Sequence, residues 1–475
     1  MGSKLCDNYT KEVVILNTKK QYDLTQGPIL QRLIKTSIPL MATGFMQMAF
    51  NLADMFWLSR IVGDDGGPVA AAGTAGMYIW LSMAFIVIGR LGAQIGVAQN
   101  IGKGDKKAAQ KYAQNAFVVG IALGALYGAA MIIFQVPLIG FFNMDDPRVV
   151  TMAQQYLAAT AIGMPFIFAN HVITGVFIGF GNTKVAFIIN SATLGLNIAI
   201  TPIFIFVFNW GIAGAGFATV AAGIINFIIK LWVMSRHKNR PFEKYRPIGK
   251  LDREIIKQTF KWGVPVGLES GFFTVVFLIV TRFVADFGTG AIAAQRVGHQ
   301  VLSLAWAMSG GFGSALTGFL GQNFGAKKFG RMRKIYNTSL GVMAVYGVFI
   351  SAVLFIFAAP LTGIFLSCPY EIQMGADYLR VLALTQTLYC MEESPSAFFI
   401  GIGVTYKSTI ASTIANASRI LIVFLIITFT DLGVFGIWIG IAIALTFRNV
   451  WLLLWQKFHE RKHIPKYDAD VADVV

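Results

Sequence analysis

The sequence places a few charged and polar side chains inside long apolar stretches, where they could bind a proton or a cation. Residues 50–60 read FNLADMFWLSR and carry Asp54 near the end of an apolar run. Gln47 lies seven residues earlier, on the same face of a helix. A carboxylate at bilayer depth costs at least about 2.5–3.5 kcal/mol on insertion scales, so we expect a compensating partner or a functional use for this charge.

Three other apolar stretches carry side chains of the same kind. Asn197 and Thr201 are four residues apart, on one helix face, and could either bind an ion or bridge two helices. Glu269 lies one turn beyond Pro265 in the seventh stretch, whereas Glu392 and Glu393 are adjacent in the tenth. Adjacent helical positions point about 100° apart. We therefore favour Glu392 as the cavity-facing carboxylate and leave the role of Glu393 open.

Composition identifies an integral membrane protein. Of the 475 residues, 56% are hydrophobic and 13% are charged, about half of the roughly 25% charged share of soluble domains. The formal net charge of +16 could indicate a nucleic-acid partner, but the basic residues fall between the apolar stretches, as in cytoplasmic loops of membrane proteins. Three scattered cysteines predict neither a disulfide framework nor a metal site. We expect no signal peptide and no nucleic-acid partner.

Twelve stretches are long and apolar enough to cross a hydrocarbon core of about 30 Å as helices. Basic loops such as GKGDKKAAQK (102–111) alternate with acidic loops such as NMDDP (143–147), which predicts that both termini are cytosolic. The predicted spans are 34–60, 69–97, 113–137, 152–178, 185–208, 210–235, 258–283, 291–318, 336–362, 376–402, 408–430 and 432–456.

The two halves of the chain resemble each other. GVAQNIGKGDKK (96–107) matches GFLGQNFGAKKF (318–329), and FGNTK (180–184) matches IGVTYK (402–407), at offsets of about 222–223 positions. Six spans return the chain to its starting side, so the two halves share one orientation and are related by a pseudo-two-fold axis along the membrane normal. We expect cytosolic tails at 1–28 and 458–475, lobes at 29–235 and 258–457, and a cytosolic linker at 236–257.

Several stretches, taken together, make the chain resemble the multidrug and toxic compound extrusion (MATE) family, within the multidrug, oligosaccharidyl-lipid and polysaccharide flippase superfamily. They include NLADMFWLSRIVG (51–63), WGIAGAGFATV (210–220), GVPVGLESGFF (263–273) and CMEESPSAFFIGIG (390–403), and the resemblance covers about 30–457. It implies a two-lobed antiporter that exports cationic or amphipathic organic compounds against H⁺ or Na⁺ by alternating access. It also implies a monomer in the bacterial plasma membrane, with the coupling ion in place of a cofactor.

The resemblance assigns roles to particular residues. Asp54 matches the first-helix carboxylate of the family and Gln47 a polar residue on the same helix. Further residues of the amino-terminal site are matched by Asn197, Thr219 and Tyr156.

The chain also departs from the family pattern. Thr201 stands where many members carry a second aspartate, while Glu269 and Glu392 match glutamates of other members. A sodium ion at Asp54 and Asn197, or at Glu269 and Glu392, is therefore the alternative to proton binding. In the repeat, Glu392 and Glu393 fall opposite Asn170 and His171, so the accessory candidates are Asn170, His171 and Glu393.

Two rival functions follow from the same observations. A flippase for lipid-linked precursors would favour a cationic cavity for phosphates, and the intramembrane charge, which we expect to be mainly acidic, fits cationic cargo better. A membrane-embedded enzyme would need a nucleophile and base or a metal site, and the sequence contains neither pattern.

Overall fold

The computed structural model describes residues 23–61, 66–236, 241–242 and 245–464, and the regular structure in these ranges is helical. Most of the predicted amino-terminal tail, including Cys6, and residues 465–475 lie outside the described residues. We number the long helices α1 (Ile29–Leu58), α2 (Gly67–Gly102), α3 (Lys106–Ile133), α4 (Pro147–Ile162 and Met164–Phe180), α5 (Thr183–Pro202), α6 (Gly211–Arg236), α7 (Arg253–Ala285), α8 (Thr289–Gly325), α9 (Phe329–Ile356), α10 (Pro369–Gly401), α11 (Thr405–Phe429) and α12 (Gly433–His463).

The helix breaks follow from local sequence. α4 bends by 50° at Gly163, where Pro165 in the next turn lacks a backbone N–H. α5 ends at Pro202 and continues as a π-helical turn, Ile203–Val207. The short helices Gln135–Gly140 and Ala358–Gly363 extend α3 and α9.

Eight of the described helices are long and apolar enough to span a membrane alone, and the bent α4 makes nine. The remaining long helices, α1, α8 and α10, fall short because they carry more polar side chains. Asp54 on α1 and Glu392 on α10 are among these. Glu269, by contrast, lies on α7, which is apolar enough to span a membrane despite this carboxylate.

Helix packing repeats between the two halves of the chain. α1 packs on α5 as α7 packs on α11, and α2 packs on α4 as α8 packs on α10. The α5–α6 and α11–α12 pairs correspond in the same way. Each half therefore forms a lobe of six helices, which we call the N-lobe (α1–α6) and the C-lobe (α7–α12).

The lobes meet where α1 packs on α8 and α2 packs on α7. Glycines allow the close approach, as is common between membrane helices. A Cβ on Gly263 of α7 would lie 2.3 Å from the Cα of Ile88 on α2, and one on Gly44 of α1 would lie 2.9 Å from the backbone of Ala307 on α8. These distances are too short for any larger residue, so the contact depends on bare backbone.

At one end of this interface the contacts are reciprocal. Gln99 Nε2 on α2 donates to the Gly401 carbonyl on α10 (2.9 Å), and Gln322 Nε2 on α8 donates to the Gly179 carbonyl on α4 (2.8 Å). The two glutamines are 223 positions apart and the two glycines 222, which are the offsets of the sequence repeat. We call this set of inter-lobe contacts the closed face.

Each lobe is also tied to the other by the segment that precedes its first helix. The Leu24 N–H donates to Gln322 Oε1 of the C-lobe (3.0 Å), and Leu24 itself is 1% exposed. Ahead of α7, the Asp252 N–H donates to Asn115 Oδ1 of the N-lobe (2.8 Å), and Gln114 Nε2 donates to the Arg246 carbonyl (2.7 Å). The last residues of the predicted cytosolic tail, just before α1, thus pack against the C-lobe.

We predict that Gly102→Ala lowers the stability of the purified protein by about 1–3 kcal/mol, the usual cost of overpacking. A Cβ at Gly102 would lie 1.9 Å from the Gln322 carbonyl oxygen, a backbone atom that cannot move aside. The control is Gly76→Ala on the same helix, where nothing lies within 4 Å. It should leave stability unchanged or raise it by about 0.5–1 kcal/mol. Equal apparent melting temperatures for both variants in detergent would contradict the described lobe contact.

Candidate functional site

The C-lobe contains a buried cluster of two carboxylates and one arginine. Arg448 on α12 forms an ion pair with Glu392 on α10, and its Nη2 lies 3.9 Å from Oε1 of Glu269 on α7. The side chains of Glu269 and Arg448 are 17% exposed and that of Glu392 is 6% exposed. With both carboxylates ionised, the cluster carries a net negative charge that one more cation or proton would neutralise.

Several polar atoms around this cluster are buried without a hydrogen-bond partner. They include Glu392 Oε2, Arg448 Nε and both side-chain polar atoms of Asn449. The hydroxyls of Thr409 and Ser412 on α11 lie beside Glu269 and add two neutral oxygen atoms to the cluster. Each unpartnered polar group costs about 1–3 kcal/mol if it stays unsatisfied. The cluster is therefore suited to receive water, an ion or a substrate group.

A cavity of about 60 Å³ adjoins the cluster and is bounded by Arg448 itself. Its walls also include Arg419 and His299, and aromatic rings such as Phe273 and Tyr389. Arg419 lies over the Phe273 ring at 5.6 Å from its centroid. At about 15 Å³ for each water, the cavity holds roughly four waters. It can hydrate the charged cluster, but it is too small for a large organic compound.

Glu393 contacts a different helix from its neighbour Glu392. It packs against α8 at Gly313, where a Cβ would overlap its carboxylate. The two adjacent glutamates thus contact different helices, because neighbouring side chains diverge around the helix axis.

In the N-lobe, the polar residues matched by family resemblance form two groups. Asp54 of α1 lies beside Tyr156 of α4, and its Oδ1 is buried without a partner. Asn197 of α5 accepts a hydrogen bond from Thr201 (2.9 Å) and donates to Thr219 of α6 (3.4 Å). Among the described residues no hydrogen bond joins the two groups. The oxygen atoms that could ligate a sodium ion in this lobe are therefore divided between them.

Gln47 lies in an exposed position on α1 and donates to Asn51 Oδ1 at 3.4 Å. It makes no described hydrogen bond to Asp54, although the two share a helix face.

A second polar layer of the N-lobe is basic. Lys230 of α6 is 1% exposed and donates to the Asn170 carbonyl (3.1 Å) and to Thr174 Oγ1 (2.9 Å) of α4. The charges that act on His171 of α4 are those of Lys230 and of Arg90 on α2. The expectation of a mainly acidic interior is therefore wrong for this layer.

Sequence analysis did not single out Arg448 or Lys230. Both lie inside predicted spans, and a basic residue within a span is itself a signal of function or of ion pairing.

The described residues form twelve long helices in two repeated lobes with ionisable side chains inside each lobe, an arrangement typical of multi-pass membrane transporters with parallel repeats. Two segments, residues 39–203 and 265–425, match the MatE family model, and together they cover more than half of the chain. The chain therefore belongs to the MatE family, whose members are transporters and not enzymes. The predicted fold and family are confirmed by these findings.

Relatives of known name agree with this assignment. The chain is 24% identical over 437 residues to a "Probable multidrug resistance protein NorM" of Thermotoga maritima, covering 90% of this chain and 92% of that protein. It is 26% identical over 428 residues to a "Probable multidrug resistance protein YpnP" of Bacillus subtilis, covering 89% and 92%. A crystal structure of MATE in complex with MaD3S shares the fold, with a TM-score of 0.86, 22% identity and coverage of 93% and 98%.

We predict that Arg448→Met destabilises the protein by about 3–5 kcal/mol, because it leaves Glu392 and Glu269 buried without their counter-charge. Arg448→Met combined with Glu392→Gln should recover part of the loss, since it removes one of the two stranded charges. The control is Arg282→Met, whose ion pair with Asp286 is exposed (71% and 61%) and worth about 0–1 kcal/mol. Apparent melting temperatures in detergent provide the measurement. If the double variant melts below Arg448→Met, the three side chains do not form one electrostatic unit.

Proposed function

We propose that the protein exports small organic cations and amphipathic compounds from the cell in exchange for protons, by alternating access of a path between the two lobes. The observation that carries this proposal is the set of buried carboxylates, with one in the N-lobe and two bound to Arg448 in the C-lobe. A carboxylate in a low-dielectric interior changes charge when it binds a proton. The proton then changes which cargo the site prefers, and transport coupling requires such a difference between states.

Protons are favoured over sodium ions by the arrangement around Asp54. Sodium, a hard cation, prefers several oxygen ligands and carboxylate charge. Asp54 lies beside one phenol, Tyr156, while Asn197 and Thr201 bond each other. In the C-lobe, Arg448 already occupies the space between the two glutamates. The positive guanidinium at this place competes with a sodium ion, although the Thr409 and Ser412 hydroxyls lie beside Glu269.

The cargo is larger than the C-lobe cavity, so its path runs between the lobes. In this structure the lobes meet at the closed face, on the side of the basic loops 102–111 and 325–334. The closed face supports a state that is closed toward the cytosol, in a plasma membrane with both termini inside.

We predict that Asp54→Asn abolishes coupled export while the protein still inserts and purifies as a single species, because the substitution keeps the size of the side chain and removes its titration. Asp54→Glu, which retains a carboxylate, should keep part of the activity. Ethidium transport by reconstituted protein is measured with a proton gradient and a sodium gradient imposed separately. If the wild-type protein transports ethidium under the sodium gradient alone, proton coupling is overturned. If Asp54→Asn is fully active under either gradient, the role of Asp54 is overturned.

We predict that an impermeant maleimide labels Cys368 on intact cells. Cys368 is exposed and precedes α10 on the side opposite the basic loops, whereas Cys390 is buried inside α10. Cys6 should react only after permeabilisation. Cys368→Ser provides the control, and labelling of that variant on intact cells would reverse the proposed orientation.

A further inference from the structure

We infer that the basic layer of the N-lobe is a binding subsite for the anionic group of an amphipathic ligand, such as a carboxylate, sulfonate or phosphate. This inference rests on the proposed transport function and adds a second kind of charge recognition to it. The subsite comprises Arg90 on α2, Asn170 and His171 on α4, and Lys230 on α6.

The geometry of α4 brings these groups together. Asn170 and Thr174 share one face of α4 and hold the Lys230 ammonium through two neutral oxygens. His171 lies on the adjoining face, and Gly175, one turn later, allows the Arg90 backbone and the base of its side chain to approach α4 closely. α4 thus presents His171 between a lysine on one neighbouring helix and an arginine on the other.

Among the ion pairs of the described residues, none involves Arg90, His171 or Lys230. Helices α2 to α6 contain no Asp or Glu in their sequences, and Asp54 of α1 is not among the groups that act on His171. Asn226, one turn before Lys230, extends the layer through hydrogen bonds to Asn190 (3.2 Å) and Thr193 (2.6 Å), all of them uncharged. An unpaired charge in a buried site is costly, and an anion from a ligand would remove that cost.

The exposure of these side chains and the difference between the two lobes also support a ligand site. Lys230 is fully buried, whereas Arg90 and His171 remain partly exposed, so a ligand can reach the layer from their side. The repeat positions of Arg90 and His171 in the C-lobe are Gly313 and Glu393. Where the N-lobe carries the basic side chain of His171, the C-lobe therefore carries the carboxylate of Glu393, and a ligand with a cationic and an anionic end can meet both lobes.

The test compares two dyes that differ in one anionic group. Rhodamine B carries a free carboxylate, and its ethyl ester has the same ring system as a plain cation. Binding of each dye is measured by fluorescence anisotropy to the purified protein in phosphatidylcholine nanodiscs, with empty nanodiscs subtracted. Lys230→Met and Arg90→Gln should each weaken rhodamine B binding by roughly tenfold or more, as expected for a charge-assisted hydrogen bond, and change ester binding less than twofold. Lys230→Arg should retain most of the preference.

Lys261→Met is the matched control, because Lys261 is an exposed lysine near the same end of the bundle on α7. It should change neither dye. Equal losses of both dyes in Lys230→Met and Arg90→Gln would assign the layer a structural role and overturn the subsite, as would unchanged binding of both dyes. If all of the proteins bind the ester normally and the variants do not change rhodamine B binding, the subsite is overturned and the transport proposal stands. Failure of wild-type protein to bind either dye overturns the transport proposal with it.

A second arm separates a free solute from a lipid headgroup as the natural occupant. The rhodamine B titration is repeated in nanodiscs that contain phosphatidylglycerol. If phosphatidylglycerol weakens rhodamine B binding to the wild-type protein but not to Lys230→Met, the natural occupant is an anionic lipid. Binding that does not depend on phosphatidylglycerol assigns it to a solute.

Discussion

The fold is organised around the cost of keeping an ionised side chain away from water. In an interior surrounded by hydrocarbon, a charge is tolerated only when another charge, a set of dipoles or a ligand lies against it. Arg448 supplies this for Glu392 and Glu269, and three helices must converge to make the contact. The rotation of α7, α10 and α12 about their axes is therefore constrained by one guanidinium group.

The two lobes meet this constraint differently. The C-lobe balances its acids with an internal cation and leaves several polar atoms unpartnered around them. The N-lobe keeps the Asp54 carboxylate of α1 beside Tyr156 and gathers Lys230, His171 and Arg90 in a separate layer. A duplicated scaffold has thus acquired two distinct charge patterns.

Much of the architecture could be predicted from sequence, because hydropathy, loop charge and the internal repeat each depend on local composition. The number of helices, their pairing into two lobes and the candidate carboxylates follow from such patterns. The partners of those carboxylates do not. Whether Asp54 meets Asn197 or Tyr156 depends on the tilt and rotation of three helices, and the sequence predicts a helix face without predicting its neighbour. Lys230 could have been identified from the sequence, since a lysine inside an apolar span is informative by itself.

The reciprocal glutamine bonds of the closed face have the form of an isologous interface. In such an interface each surface binds a copy of itself, so a contact from one residue to another is repeated in the reverse direction. Gln99 with Gly401 and Gln322 with Gly179 follow this rule inside a single chain. The closed face is therefore laid out as a two-fold dimer whose two copies are joined between α6 and α7. As a result, loss of either glutamine leaves an equivalent bond in place on the other side of the axis. The closed face therefore has a redundancy that a single lobe could not provide.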